Sequence, residues 1–90
     1  MAVMKGFGTR LKYLRDLSGL SARALDRLAK APRGYTSLIE TGERPKIGAD
    51  VAEGYAEALG ASLDWLISGH GKPPSKETVR SAVARAGRAA

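Results

Sequence analysis

Glycine and proline divide this chain into apolar stretches that are each long enough for a short helix and too short for anything larger. Phe7, Leu11, Leu14 and Leu17 recur at spacings of four and three, the stripe of an amphipathic helix, with Arg10, Lys12, Arg15 and Asp16 off the stripe, and Gly19 stops it. Ser21 restarts a helix as an N-cap, its hydroxyl placed to accept a free backbone N–H, and Leu25, Leu28 and Ala29 form the buried edge. Pro32 breaks that helix, because proline lacks an N–H and restricts the residue before it, yet proline suits the first turn of a new helix. A third helix is therefore predicted over about 32–41, with Gly42 as C-cap and Pro45 forbidding continuation.

Within the third helix Ile39, with Thr36 or Tyr35, faces the core, which leaves Arg33, Gly34, Ser37 and Leu38 outward. Residues 50–59 put Val51, Tyr55, Ala58 and Leu59 on one face and Glu53 and Glu57 on the other, ending at Gly60. Ser62 caps a fifth short helix with Leu63, Leu66 and Ile67, closed by Gly69. Residues 69–74 are a linker by composition. The tail, 75–90, carries Val79, Ala82, Val83 and Ala86 at helical spacing, but these side chains are small, so the tail is expected to be helical or to stay disordered when free. Strand alternation is almost absent. The reading is all-α, with a domain over 1–71 and a basic linker and tail over 72–90.

Ninety residues are expected to form one small core, without a second domain or a multidomain enzyme. With no cysteine there is no disulfide framework, thiolate zinc site or redox centre, which fits a reducing cytoplasm. Apolar runs such as Trp65-Leu66-Ile67 fall far short of the roughly 20 residues that cross a bilayer. The start, Met1-Ala2-Val3-Met4-Lys5, lacks a secretory apolar stretch and reads as mature sequence. His70, the single histidine, sits between two glycines in a linker, with no Cys or second His to complete a metal cluster, and a Ser/His/Asp triad would need it held rigidly. Gly69 and Gly71 follow no strand, so they are no nucleotide loop. The expectation is a non-enzyme without cofactor or metal.

Charge is polarised along the chain. Residues 1–46 carry ten Lys/Arg and four Asp/Glu, 47–71 carry four acids and no base, and 72–90 carry five bases and one acid. A basic first half suits the neutralisation of phosphates, and an acidic segment suits water or a basic partner; solvated helix surfaces explain the same charges without any ligand.

Two short helices joined by a few residues, inside a bundle of five, have the geometry of a DNA-binding helix-turn-helix. The run Leu20-Ser21-Ala22-Arg23-Ala24-Leu25-Asp26-Arg27-Leu28-Ala29, then Tyr35-Thr36-Ser37-Leu38-Ile39-Glu40-Thr41-Gly42, then Leu59-Gly60-Ala61-Ser62-Leu63-Asp64-Trp65-Leu66-Ile67-Ser68-Gly69, resembles the lambda-repressor/Cro-like (XRE) family and the N-terminal domains of phage-type repressors, over about residues 7–71. The resemblance implies a five-helix domain whose third helix lies in the major groove, usually as a homodimer on a palindromic operator. Three positions depart from the family pattern: Ala22 for a common Gln, Asp26 for Ala, and Lys30 for the turn Gly. Lys30 must then adopt a left-handed conformation at some cost, or the turn is built otherwise. The loop over 42–50 is a residue or two longer than is common.

On this reading Arg33, Gly34, Ser37 and Leu38 are the base-reading residues: Arg33 by bidentate hydrogen bonds to guanine, Ser37 at a base or phosphate, Gly34 by permitting close approach, Leu38 at a thymine methyl. The alternative for Gly34 and Leu38 is that they are plain surface residues. Arg23, Lys30, Tyr35, Arg44 and Lys46 are the backbone-contact set, with Tyr35 alternatively a core ring with a wet tip. Arg10 and Arg15 are expected to be solvated or paired with acids, and Glu40 to pair with Arg15 or another first-helix base. Tyr55, Leu63, Trp65 and Leu66 belong to core or dimer surface rather than to a stacking platform. The function expected is a sequence-specific double-stranded DNA-binding transcriptional regulator, repressor-like. The alternatives are an antitoxin or adaptor whose residues 72–90 dock on a protein partner, and a charge-driven binder of nucleic acid or anionic membrane.

Overall fold

The computed structural model describes residues 6–43 and 46–89, and within them every regular element is a helix. In order these are α1 (Gly6–Ser18), α2 (Ala22–Ala29), α3 (Tyr35–Glu40), α4 (Ala49–Leu59), α5 (Leu63–Ser68) and α6 (Lys76–Ala89). The caps explain the boundaries. Ser21 Oγ accepts the Ala24 N–H at 3.1 Å and Ser62 Oγ accepts the Trp65 N–H at 3.1 Å, each satisfying a donor that a helix N-terminus leaves free. Ser75 does the same for Thr78 at 3.1 Å and starts α6.

Leu11, Leu14, Leu25, Tyr55, Leu59, Leu66 and Val79 are fully buried and join all the helices except α3 at one centre; α3 enters through Ile39 and Thr36. Two glycines set how closely the helices approach. A Cβ on Gly8 would lie 2.3 Å from the Ile39 carbonyl oxygen, and one on Gly54 would lie 2.3 Å from that of Ala29. Backbone therefore rests on backbone where α1 meets α3 and where α4 meets α2.

The structure departs from the sequence reading at two places and decides between its alternatives at another. First, α3 begins at Tyr35 rather than near Pro32, because Gly34 takes φ +88° and the Tyr35 N–H turns back to the Pro32 carbonyl at 3.1 Å. Arg33 thus stands on the turn before the helix. Second, of the helical and disordered alternatives open for the tail, residues 76–89 take the helical one: Val79 and Ala82 are buried, and α6 packs along α1 and α4. Its small side chains suit a close crossing. A Cβ on Gly60 would meet Ala82 Cβ at 3.0 Å and the Thr78 carbonyl oxygen at 3.1 Å. Through Val79, α6 shares the core of α1–α5.

Third, Arg10 is not solvated. It is buried, its Nε donates to the Leu66 carbonyl at 2.8 Å, and its Nη2 donates to that of Ile67. These are carbonyls that the end of α5 leaves without helical partners, and a cation there complements the helix dipole. Desolvation lowers the Arg10 pKa from its ordinary value.

Candidate nucleic-acid interface

The turn from α2 to α3 is closed by backbone and held by one carboxylate. Lys30 is left-handed, φ 58° and ψ 35°, the one non-glycine residue with positive φ among those described. Its N–H donates to the Arg27 carbonyl at 3.2 Å, and the Ala31 N–H donates to that of Asp26 at 2.9 Å, which ends α2. The chain takes the strained alternative that the Lys-for-Gly departure left open.

Asp26 then organises α3 from outside it. Its Oδ2 accepts the Gly34 N–H at 2.8 Å; its Oδ1 accepts the Thr36 N–H at 2.9 Å and the Thr36 hydroxyl at 2.6 Å. Because Gly34 offers no capping side chain, the carboxylate of α2 does the work of an N-cap, and its negative charge suits the positive end of a helix. The Thr36 proton is committed to Asp26, so the Tyr55 hydroxyl, 3.0 Å away, donates to Thr36 Oγ1. Burial pushes the Tyr55 pKa up to about 12, with the negative charges of Asp26 and Glu40 adding to the rise. In the sequence Asp26 stands out only as a departure from the family pattern. The available signal is a carboxylate on the buried face of a helix, eight residues before a glycine that opens a helix with no cap of its own.

The far end of α3 is tied to α1. Arg15 Nε and Nη2 grip Glu40 Oε2 and Oε1 at 2.7 and 2.9 Å, and Arg15 Nη1 donates to the Leu20 carbonyl at 3.0 Å. The Glu40–Arg15 pairing read from the sequence is thus present as a bidentate bridge with both side chains largely shielded from water. The hydrogen bond from Glu40 is the main cause that raises the Arg15 pKa above its ordinary value.

A six-residue helix is consequently fixed at both ends by ionic groups behind it. Its outer side carries Ser37 and Leu38, both exposed, with exposed Arg33 on the turn and half-buried Gly34 and Tyr35 beside it. A family model described as a helix-turn-helix domain matches residues 7–66, a stretch that runs from α1 into α5. The chain belongs to the helix-turn-helix family, of the lambda-repressor/XRE-like phage repressor type. It is 32% identical over 71 residues to "Repressor protein CI" of Enterobacteria phage phi80, an alignment covering 78% of this chain and 29% of that protein. The chain thus spans under a third of the repressor it resembles. No solved structure matches the chain at a significant level.

In this helix-turn-helix domain α2 and α3 are the paired helices, and the remaining residues singled out from the sequence are spread around them. Arg23, near the start of α2, and Lys30, at its end, are exposed and about 10 Å apart along the axis. Lys46 is exposed in the loop after α3, and Arg44 lies outside the described residues. Tyr35 packs against the core while staying half-buried. Tyr55, Trp65 and Leu66 are buried within the single chain, so of the core-or-dimer group only Leu63 keeps partial exposure. The large apolar side chains exposed at that end are Ile67 and Tyr13, the latter with its ring centroid 6.4 Å from that of Trp65. No described helix is long and apolar enough to cross a membrane.

Proposed function

We propose that the chain is a sequence-specific double-stranded DNA-binding regulator, repressor-like and non-enzymatic, acting in the cytoplasm as a homodimer. One observation carries this reading: α3 is clamped from behind by Asp26 and by the Arg15–Glu40 bridge, while Arg33, Ser37 and Leu38 are left outward on a basic half of the chain. Readout of base edges needs a short helix held without play, since hydrogen bonds to bases discriminate only when their donors are fixed.

In this reading the α3 end of the domain, within residues 1–71, enters the major groove. Arg33 donates both arms of its guanidinium to guanine, Ser37 contacts a base or phosphate, Leu38 meets a thymine methyl, and Gly34 keeps the turn close to the base edges. Arg23, Lys30, Tyr35, Arg44 and Lys46 hold phosphates on either side and fix the register. The acidic α4 and α5 face away from DNA, and Leu63 with Ile67 supplies the twofold contact. The phi80 protein's name, a repressor, supports the regulatory sign. Capture of residues 72–90 by a protein partner is less well supported, because Val79 and Ala82 already serve this chain's own core.

The test is enrichment of a bound duplex from a random pool, then titration of that duplex and a scrambled one with wild type and Arg33→Ala at two salt concentrations. The expected result is a selected site bound by orders of magnitude more tightly, with Arg33→Ala losing about 1–3 kcal/mol at one base position. Equal, purely salt-governed affinity for both duplexes would refute sequence reading.

A further inference from the structure

A cavity of about 150 Å³ opens where the end of α2 meets α4 and α6, and the DNA-binding reading leaves it without a role. It exists because the residues at this crossing are small: Ala29, Gly54, Ala58 and Ala86 form its floor with Leu28. Around that apolar floor stand three charges, Arg27 and Lys30 from α2 and Glu57 from α4. Neither cation forms an ion pair or side-chain hydrogen bond among the described residues, Glu57 included. The Asp26 and Arg27 carbonyls near the end of α2 accept the N–H groups of Ala31 and Lys30, and the two cations outnumber Glu57, so the charged side chains lining the site sum to a positive charge. Lys30 is also the residue held at positive φ, a backbone cost that glycine would not incur.

We propose that this cavity binds a small monocarboxylate with an apolar body, and that its occupancy opposes DNA binding. A space of this size takes one six-membered ring. The ring would lie on the alanines and Leu28, and the carboxylate would reach Arg27 and Lys30, while Glu57 leaves the lining side chains a net charge of +1, which one carboxylate balances. Lys30 engaged by the carboxylate is withdrawn from a phosphate, so ligand and DNA bind with reciprocal antagonism. That coupling rests on the DNA-binding reading; the site itself does not.

Titration of the ¹⁵N-labelled full chain with sodium benzoate, at constant ionic strength, decides the first part. Benzyl alcohol and benzylammonium serve as controls of the same size. Saturable shifts centred on Lys30, Gly54, Ala58 and Ala86 are expected, with both controls weaker by roughly tenfold or more. Arg27→Gln should weaken benzoate by a similar factor. Ala86→Leu, which fills the floor and keeps every charge, should abolish binding; Arg27→Gln alone carries the test should that variant misfold. Shifts that do not saturate, or that the alcohol or either folded variant reproduces, overturn the site. In the second arm, benzoate at saturation should lower affinity for the enriched duplex severalfold, and no change overturns the coupling. Failure to enrich any duplex would refute the DNA-binding reading and leave the benzoate titration to decide the site.

Discussion

Asp26 and Thr36 are joined twice, Oδ1 of the carboxylate accepting both the backbone N–H and the hydroxyl of the threonine at 2.9 and 2.6 Å. With the Gly34 N–H on Oδ2, this makes the orientation of α3 depend on one side chain of α2. Asp26→Ala would strand the buried N–H and hydroxyl of Thr36 and the half-buried N–H of Gly34, at a cost of about 3 kcal/mol. Asp26→Asn keeps the Oδ1 acceptor but turns an amide donor toward the Gly34 N–H, and should cost about half as much. Urea unfolding followed by the fluorescence of Trp65, buried and the single tryptophan, measures both. An Asp26→Ala variant as stable as wild type would show that α3 is held by packing alone.

Tyr55 makes stability depend on alkaline pH. Its folded-state pKa, raised to about 12, lies above the ordinary 10.0 of an exposed phenol. Below pH 10 the phenol is protonated in both states and its contribution is complete. Between pH 10 and 12 the unfolded chain ionises first, so stability falls by about 2–3 kcal/mol through this one group. Lysine deprotonation operates in the same range and is common to wild type and Tyr55→Phe. Denaturant midpoints taken through this range should therefore fall more steeply for wild type than for Tyr55→Phe, which itself loses about 1 kcal/mol at neutral pH with the Thr36 hydrogen bond.

Two glycines in helices should respond oppositely to alanine. Alanine is the better helix former by about 1 kcal/mol, and Gly87, in α6 with open space around its Cβ position, should deliver that gain. Gly54→Ala, in α4, would drive a methyl to 2.3 Å from the Ala29 carbonyl oxygen and force α2 and α4 apart. A net loss of about 2 kcal/mol is expected despite the propensity. Thermal unfolding of the two variants, side by side, checks the opposite signs.

The helices themselves are legible in the sequence because their signals are local. Ser21 and Ser62 cap as their positions suggest, and Leu11, Leu14, Leu25 and Leu59 lie inward as their spacing demands. What escapes a sequence reading is set by contacts across the chain. Asp26 looks like a defect within its own helix, and only the arrival of Gly34 and Thr36 eight and ten residues later gives it a partner. Arg10 reaches the end of α5, 56 residues on, a distance at which periodicity says nothing. The start of α3 falls later than Pro32 suggests: proline favours a first helical turn, but the left-handed Gly34 overrides that preference.

Residues 76–89 are hard to read from sequence for a related reason. Small apolar side chains bury little area by themselves, but at Gly60 they allow α6 to lie against the backbone turn after α4. Val79 is fully buried there. Val79→Ala should cost about 1–2 kcal/mol, and truncation after Gly71 should destabilise the fold rather than merely trim a charged arm. Circular dichroism melts of the truncated chain that match wild type would show α6 to be dispensable.

Lys30 separates stability from function most cleanly. Its left-handed backbone, φ 58°, is one that glycine adopts freely, so Lys30→Gly should stabilise the domain by about 1 kcal/mol. The same change removes a cation at the turn. If Lys30 holds a phosphate, affinity should fall alike for selected and scrambled duplexes, and the slope of log K against log salt should decrease by about one. A more stable protein that binds DNA more weakly is a combination that general unfolding cannot produce. A variant with unchanged affinity and salt slope would remove Lys30 from the interface and leave its strained backbone without a DNA-binding explanation.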